Sequence, residues 1–317
     1  MNDYFAFGGC LRSELEFPDL SRRTPSGEAD WELRISPSAE ADTAEPGELC
    51  GEREVGPDWV LRLYRLQEGW RLDYGATGSY LVLDAGRRIV WRQGTDRREE
   101  VVRAVILGPI MALALHEAGI LCLHGSAVAL EQGGIGFLAS KGYGKSSLAV
   151  AITAAGGRLM SDDLLAVTPT ADPEILPGVH SVRMHDDVTE LIADAFPETL
   201  LREGWKKTLT NFPEHRLGWN REPLSALYVI SPVHETRMDG VSRNRVESME
   251  AALSLATHTK ITDLLGNIEA GRMLPWIGGI VSKVPVYRLE VPRELKRLPE
   301  VASDILSWHD GARKSRG

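Results

Sequence analysis

A glycine-rich stretch carries the chemistry that this chain is best equipped to do. Two apolar residues, Phe137 and Leu138, lead into it, and a helix-like run follows. The stretch consists of Ala139, Ser140, Lys141, Gly142, Tyr143, Gly144, Lys145, Ser146 and Ser147. Glycines allow a loop to turn tightly, so that its backbone N–H groups point inward at an anion. The stretch therefore predicts a phosphate-binding loop between a strand and a helix.

Two residues of this loop have the side chains that a nucleotide site needs. Lys145 would reach the β- and γ-phosphates, and the Ser146 hydroxyl would bind Mg²⁺. The helix that is expected to begin at Lys145 points the positive end of its dipole at the same phosphates. These features predict ATP and Mg²⁺ as cofactors.

Two adjacent carboxylates follow one helix later. A short strand is expected at residues 158–160, and Ser161, Asp162 and Asp163 come directly after it. A carboxylate at a strand end beside a phosphate loop is a common second ligand of Mg²⁺. Because successive side chains of a strand alternate in direction, one carboxylate can face the metal while the other acts as a general base. Asp162 is the candidate metal ligand beside Ser146, but the sequence leaves open how the two carboxylates divide these roles.

The order of three motifs resembles the catalytic domain of HPr kinase/phosphorylase. The motifs are LHGSAV at residues 123–128, the glycine-rich loop, and SDD at residues 161–163. The chain looks closest to HPr-kinase-like proteins found beside peptide natural-product clusters, including lasso-peptide kinases. The resemblance is clear over residues 107–167 and continues weakly to about residue 300. The signature loop with which true HPr kinases bind their carrier protein is not found.

The resemblance implies a fold and further site residues. The fold would be α/β (α+β), a mixed-sheet P-loop kinase domain related to ATP-dependent phosphoenolpyruvate carboxykinase. His124 would lie near the active site, where it could orient a carboxylate or bind the γ-phosphate, although it could equally be satisfied within a strand. Lys206 and Lys207, and more weakly Arg183, would contact phosphate or substrate, although residues 204–208 could also form a solvated turn.

The first 96 residues differ from the rest in their pattern of apolar and turn-forming residues. Short alternating or apolar runs, separated by turn-forming residues, predict an antiparallel β-rich domain whose aromatic side chains pack in a core. Residues 37–51 are rich in Ala, Glu, Pro and Ser and predict a loop. Residues 97–317 would form the catalytic domain, and the β-rich domain could bind a flexible substrate by strand addition.

The pattern of residues 97–317 predicts helices and strands in alternation. Helices are expected at residues 98–118, 186–196, 243–260, 264–282 and 298–308. Strands are expected at residues 121–124, 127–130, 135–138, 181–184 and 284–291. The hairpin turn at residues 132–134 would make the sheet mixed rather than purely parallel.

Composition limits the partners. The chain has 317 residues and a formal net charge of −9, which argues against nucleic acid as a partner. Its three cysteines have no metal-ligand spacing and an odd count, so a reducing cytoplasm is expected rather than a disulfide framework. The sequence contains neither a charged-then-apolar leader nor a run of 18 apolar residues, so no membrane partner is expected. Homo-oligomerisation is left open.

Three functions fit these patterns. The first is a Mg·ATP-dependent kinase that phosphorylates a serine of a peptide or small protein, which the resemblance narrows to a lasso-peptide precursor. The second is a kinase for a sugar, an amino acid or another small hydroxyl compound. The third is a non-catalytic, nucleotide-gated binding module. The simultaneous presence of Lys145, Ser146, Asp162 and Asp163 argues against the third.

Overall fold

The computed structural model describes residues 1–24, 27–37, 47–56, 59–184, 200–204, 207–233, 240–292 and 294–310. Its contacts divide the chain into two units. The first consists of Met1–Cys122 and Thr259–Trp276, and the second of Leu123–His258 and Ile277–Gly317. Large mixed sheets and helices make the architecture mixed α/β, as predicted.

An eight-stranded sheet forms the centre of the first unit. Its strands are β1 (Asn2–Ala6), β2 (Gly9–Ser13), β3 (Trp31–Ser36), β4 (Glu48–Gly56), β5 (Trp59–Leu66), β6 (Gly69–Tyr74), β7 (Gly78–Leu83) and β8 (Arg88–Gln93). Their order is β1-β2-β3-β8-β7-β6-β5-β4. Most pairs are antiparallel as predicted, but β3 runs parallel to both of its neighbours, β2 and β8. The long connection from β2 to β3 makes the first parallel pairing possible, and four strands, β4 to β7, separate β3 from β8 along the chain.

Strand β4 was not predicted. The predicted loop at residues 37–51 includes the start of this strand, and residues 38–46 of that loop lie outside the described part of the chain. Most of β4 is exposed, so its residues lack the alternation of buried and exposed positions on which strand prediction depends. Its pairing with β5, which no local pattern encodes, makes it a strand.

Several aromatic residues of this sheet are core residues, as predicted. Trp70, Tyr80 and Trp91 are fully buried. The Trp91 indole donates to the Thr77 carbonyl O at 2.9 Å, and the Tyr80 hydroxyl donates to Thr77 Oγ1 at 3.1 Å. Burial of these rings stabilises the sheet, and the two hydrogen bonds satisfy their polar ends.

A helical segment after β8 belongs to the first unit. It comprises α1 (Glu99–Val105), a π-helical segment (Ile106–Ile110) that contains Pro109, and α2 (Met111–Glu117). The Glu117 carboxylate accepts hydrogen bonds from the Trp70 indole at 2.6 Å and from Arg65 at 3.1 Å. Because this segment packs within the first unit, the predicted domain boundary near Arg97 lies inside that unit. Strand β9 (Leu121–Leu123) leads out of it.

The sheet of the second unit is mixed, as predicted. Its central strands lie in the order β12-β10-β11-β18-β20-β19, with parallel pairs at β11/β18 and β18/β20. The strands of this unit are β10 (Gly125–Leu130), β11 (Gly133–Leu138), β12 (Arg158–Ser161), β13 (Leu165–Val167), β14 (Glu174–Ile175), β15 (Ser181–Met184), β16 (Leu200–Gly204), β17 (Lys207–Asn211), β18 (Glu222–Val233), β19 (Ser242–Arg245) and β20 (Val286–Pro292). Strands β15, β17 and β16 form a separate antiparallel sheet.

The remaining helices are α3 (Lys145–Ala154), α4 (Ser248–His258), α5 (Thr262–Lys283) and α6 (Leu298–Asp310). Helix α5 is interrupted at Gly266, whose φ is 70°, and it crosses from the first unit into the second. None of the helices in the described ranges is both long and apolar enough to span a membrane. The predicted helix at residues 186–196 and the last seven residues lie outside those ranges.

The predicted helix at residues 243–260 was wrong at its start. Residues 242–245 form β19, which pairs with β20, and α4 begins only at Ser248. Arg243 lies over the rings of Tyr287 and Trp308 and donates to the Tyr228 hydroxyl at 3.1 Å. These contacts between distant parts of the chain stabilise the strand over the helical alternative.

Histidine 180, which precedes β15, makes the stability of the second unit depend on pH. Its Nε2 donates to the Gly218 carbonyl O at 2.9 Å, and burial lowers its pKa from 6.5 to about 4. The unfolded chain therefore binds a proton more readily than the folded chain. The resulting stabilisation is complete above about pH 6.5 and is lost as the pH falls towards 4.

We expect this loss to be about 3 kcal/mol in the free energy of unfolding between pH 7 and pH 4. His180→Gln keeps a donor for Gly218 but does not titrate, so its unfolding free energy should fall less over the same range. Urea unfolding can be followed by tryptophan fluorescence, because Trp219 packs edge-on against His180. His215→Gln changes an exposed histidine and is the control. Equal losses in the parent and His180→Gln would contradict the prediction.

Candidate functional site

Three strands of the second unit bring the predicted site residues to one edge of the sheet. Strands β11 and β12 both run antiparallel to the strand between them, β10. The ends of β11 and β12 therefore lie beside the start of β10. The glycine-rich loop follows β11, Asp162 follows β12, and His124 directly precedes β10. Gly125 is required at this edge, because a Cβ there would lie 2.8 Å from the Phe137 carbonyl O.

The glycine-rich loop has the backbone shape that the sequence predicts. Gly142 and Gly144 have φ values of 84° and 88°, in the left-handed region that glycine adopts without strain. Helix α3 begins directly after them, and no side chain caps its N-terminus. The first N–H groups of a helix have no partners within the helix, so they are available to an anion. Residues 140–144 are exposed, whereas Ala139 is buried.

Lys145 lies against the inner side of this loop. Its side chain is buried, and Nζ donates to the carbonyl O of Ala139 at 2.8 Å and of Ser140 at 3.4 Å. Nζ is also 3.2 Å from His124 Nε2. The ammonium group is therefore held where a phosphate chain in the loop would meet it.

The side chain of Asp162 contacts that of Ser146, and these two residues are the predicted metal ligands. Asp162 Oδ1 accepts hydrogen bonds from Ser126 Oγ at 2.6 Å and from Ser146 Oγ at 2.8 Å. Burial raises the pKa of Asp162, the negative charge of Asp163 raises it further, and the two hydroxyl groups oppose this. Within the described ranges, no cationic side chain pairs with Asp162. A divalent cation would fit this buried, uncompensated carboxylate.

Asp163 faces a different direction from Asp162. Its side chain is 60% exposed, and Oδ1 is 3.1 Å from His124 Nδ1. The two carboxylates diverge, but for a different reason from the predicted alternation along a strand. Strand β12 ends at Ser161, and Asp163 has a φ of 65°, in the left-handed region, within a tight turn. Left-handed backbone at a non-glycine residue is uncommon and is often found at functional sites.

His124 joins Lys145 to Asp163. An ammonium group can only donate, so His124 Nε2 accepts from Lys145. The ring proton is then on Nδ1, which lies 3.1 Å from the Asp163 carboxylate and 3.2 Å from its carbonyl O. This tautomer holds the exposed carboxylate in place beside the phosphate loop.

Four predicted site residues are less closely connected to this arrangement. Ser147 is partly buried in the first turn of α3. Arg183 is exposed on β15. Lys206 lies outside the described residues, and only the backbone of Lys207 is described, in β17. The substrate contacts of Arg183, Lys206 and Lys207 remain predictions.

Two residues of the site, Ser126 and His258, were not predicted. Ser126 lies within the motif that suggested a family, but its hydrogen bond to Asp162 has no local signal. His258 has no pairing or spacing with other residues that suggests a metal site, so the sequence indicates only a structural or surface residue. It ends α4, and its carbonyl O accepts the backbone N–H of His124 at 2.6 Å. An apolar helix that ends in histidine gives no indication of this contact.

The metal-ligating groups of the site are few. In the part of the chain that the structure describes, no three or more His, Cys, Asp or Glu side chains form a group that could hold a metal ion. Mg²⁺ commonly binds through one or two protein oxygens together with substrate phosphates and water. The Ser146 and Asp162 pair fits that kind of site rather than a closed metal cage.

No protein-family model matches the chain. No curated protein matches it at the level of sequence. Solved structures do match, among them the Hpr(Ser) kinase/phosphatase from Coxiella burnetii. This protein is 12% identical to the chain, and the match covers 61% of this chain and 99% of that chain with a TM-score of 0.35. A TM-score of that size carries no argument about function, which has to come from the residues of the site.

Proposed function

We propose that the chain is a Mg·ATP-dependent phosphotransferase that transfers the γ-phosphate to a serine hydroxyl of a peptide or small protein. One observation carries the proposal. Lys145 lies against the carbonyl groups of a glycine-rich loop, with the Asp162 and Ser146 pair and the Asp163 and His124 pair both at the same edge of the sheet. A phosphate-binding loop, a buried carboxylate and an exposed carboxylate are the groups that phosphoryl transfer requires.

The loop and α3 would bind the phosphates. Backbone N–H groups in the first turn of α3 and the Lys145 ammonium would take phosphate oxygens as acceptors. Ser146 and Asp162 would hold Mg²⁺, which neutralises phosphate charge and orients the phosphate chain. The burial of Asp162 supports this role, because a carboxylate covered by two hydroxyl groups cannot easily reach an incoming acceptor.

Asp163 would act as the general base. As the acceptor oxygen bonds to the γ-phosphorus, the bond from that phosphorus to the β,γ-bridging oxygen breaks and ADP leaves. The hydroxyl proton moves to an oxygen of Asp163. The exposure of this carboxylate and the Nδ1–H of His124 beside it support the assignment. Proximity and electrostatic stabilisation would provide most of the rate acceleration, because the transition state of phosphoryl transfer is loose.

The proposed acceptor is a peptide, and a lasso-peptide precursor is the specific candidate that the sequence resemblance indicates. Strand β4 of the first unit pairs with β5 and ends the order of its sheet. An edge strand of this kind can bind an extended peptide by adding a further strand. The first unit is therefore the proposed peptide-binding part of the chain.

Transfer of labelled γ-phosphate from ATP tests this function. We expect label in a serine of a lasso-peptide precursor, and none in Ser→Ala versions of the peptide. A parallel panel of sugars, amino acids and other small alcohols tests the acceptor class. Labelling of a small alcohol in preference to the peptide would identify the alcohol as the acceptor, and the proposed phosphoryl transfer would still hold. Nucleotide binding without transfer to any acceptor would indicate a binding module.

Activity should require a divalent cation. Ser146 and Asp162 supply only two oxygen ligands, so excess chelator should abolish phosphate transfer, and added Mg²⁺ or Mn²⁺ should restore it. Initial rates measured across a titration of free Mg²⁺ provide the test. Undiminished transfer in excess chelator would contradict the assigned role of this pair.

A further inference from the structure

His258 lies beside the proposed phosphate site but has no role in the proposed reaction. Its carbonyl O holds the backbone of His124 at 2.6 Å, which places the end of α4 directly beside the site. The ring is half-buried. His258 Nδ1 is 2.7 Å from the Ser254 carbonyl O, which can only accept, so Nδ1 carries a proton. Nε2 is then the nitrogen at which His258 gains or loses a proton.

Two groups from other elements lie close enough to influence the charge of His258: Lys145, from α3, and His124, from the segment before β10. The His124 backbone N–H donates to the His258 carbonyl O at 2.6 Å, and Lys145 Nζ is 3.2 Å from His124 Nε2. Burial is the largest cause that lowers the pKa of His258, and the charge of Lys145 and the neighbouring His124 lower it further. A hydrogen bond to the Ser254 carbonyl opposes this shift. In the ligand-free cluster, burial and the Lys145 ammonium therefore both disfavour a proton on His258.

We propose that Lys145, His124 and His258 form one anion-binding cluster, and that His258 takes up a proton when a phosphate group binds beside Lys145. The inference rests on the proposed function, since it requires phosphate in the glycine-rich loop. It adds His258 as a second cationic group beside Lys145 in the bound state, and it makes phosphate binding and proton binding cooperative.

The reason is electrostatic linkage. In the ligand-free site, a proton on His258 is repelled by the Lys145 ammonium. A bound phosphate group carries negative charge and offsets that repulsion, so the protonated form of His258 becomes more favourable. The pKa of His258 is then higher in the bound state than in the free state. Between these two pKa values, binding takes up a proton, and affinity rises as the pH falls.

Calorimetry at about pH 7 tests the inference with a non-hydrolysable ATP analogue and Mg²⁺ as the probe. Titrations in buffers of different ionisation enthalpy give the number of protons taken up on binding. We expect net uptake by the parent and less uptake by His258→Asn, whose amide can still donate to Ser254. The affinity of the parent should rise by up to about tenfold for each unit that the pH falls, and more steeply than that of the variant. His215→Asn, an exposed histidine outside the site, is the matched control.

A second measurement does not depend on the variant being folded. The histidine Cε1–H resonances of the parent, titrated with and without the analogue, should include one whose pKa rises on binding. Equal proton uptake in the parent and a folded His258→Asn, or no such rise in the parent, would overturn the inference and leave the proposed function standing. Failure of the parent to bind the analogue at all would instead contradict the proposed function.

Discussion

Asp163→Asn should lose turnover by about a hundredfold or more while it still binds Mg²⁺ and nucleotide as the parent does. The amide cannot accept the hydroxyl proton, but it occupies the same exposed position beside His124. The acidic limb of the pH–rate profile should also disappear, because protonation of Asp163 no longer limits the reaction. Single-turnover rates and direct nucleotide binding separate the loss of chemistry from a loss of affinity.

Asp162→Asn should fail in a different way. Its amide oxygen can still accept from Ser126 and Ser146, so the buried contacts are retained while the negative charge is lost. The defect should be one of Mg²⁺ affinity, with partial recovery of the rate at high Mg²⁺ or Mn²⁺. A reversed pattern would exchange the roles of the two carboxylates. Near-parental turnover in both variants would show that residues 161–163 form a structural turn and take no part in the reaction.

Lys145→Met should also abolish measurable turnover and weaken nucleotide binding. Methionine has a similar length and keeps most of the buried contacts, but it removes the ammonium group that faces the loop. Removal of one such electrostatic contact from a phosphoryl or acyl transition state commonly lowers kcat by about a hundredfold or more. Initial rates and equilibrium binding of a fluorescent ATP analogue measure the two effects.

Lys141→Met is the matched control for this substitution. Lys141 belongs to the same loop and has the same charge, but its side chain is exposed. Loss of net charge alone would affect both variants similarly, whereas a specific role of Lys145 predicts a large effect only in Lys145→Met. Parental turnover in a folded Lys145→Met would remove the phosphate loop from the proposed mechanism.

The local parts of the candidate site were predictable from the sequence. A glycine at 142 and another at 144 permit the left-handed turns of the loop, and both observed φ values lie in that region. The apolar strand before this loop and the helix after it also have local patterns. The pairing of Ser146 with Asp162 followed from the expected order of strand, loop, helix and strand, because β11 and β12 end at the same edge.

The parts that depend on distant contacts were not predictable. The helical pattern before Ser248 includes Arg243, which lies in a strand because Tyr287 and Trp308 pack against it. The exposed strand β4 has no periodicity, and only its partner β5 defines it. His258 contacts His124 through a backbone carbonyl, and a side-chain motif cannot encode such a contact.

The contacts of Lys145 with the carbonyl groups of Ala139 and Ser140 have a consequence for how a ligand would enter the loop. These hydrogen bonds cross the loop and fix its shape before any phosphate arrives. A phosphate chain would then exchange one set of acceptors for another, and the loop would not have to fold around it. The loop is thus pre-organised, so that little conformational entropy is lost on binding. The chain's own carbonyl groups compete with phosphate for the Lys145 ammonium, and this competition lowers the affinity for a single phosphate group. Ligands that contact the helix N-terminus and Lys145 at the same time are therefore favoured.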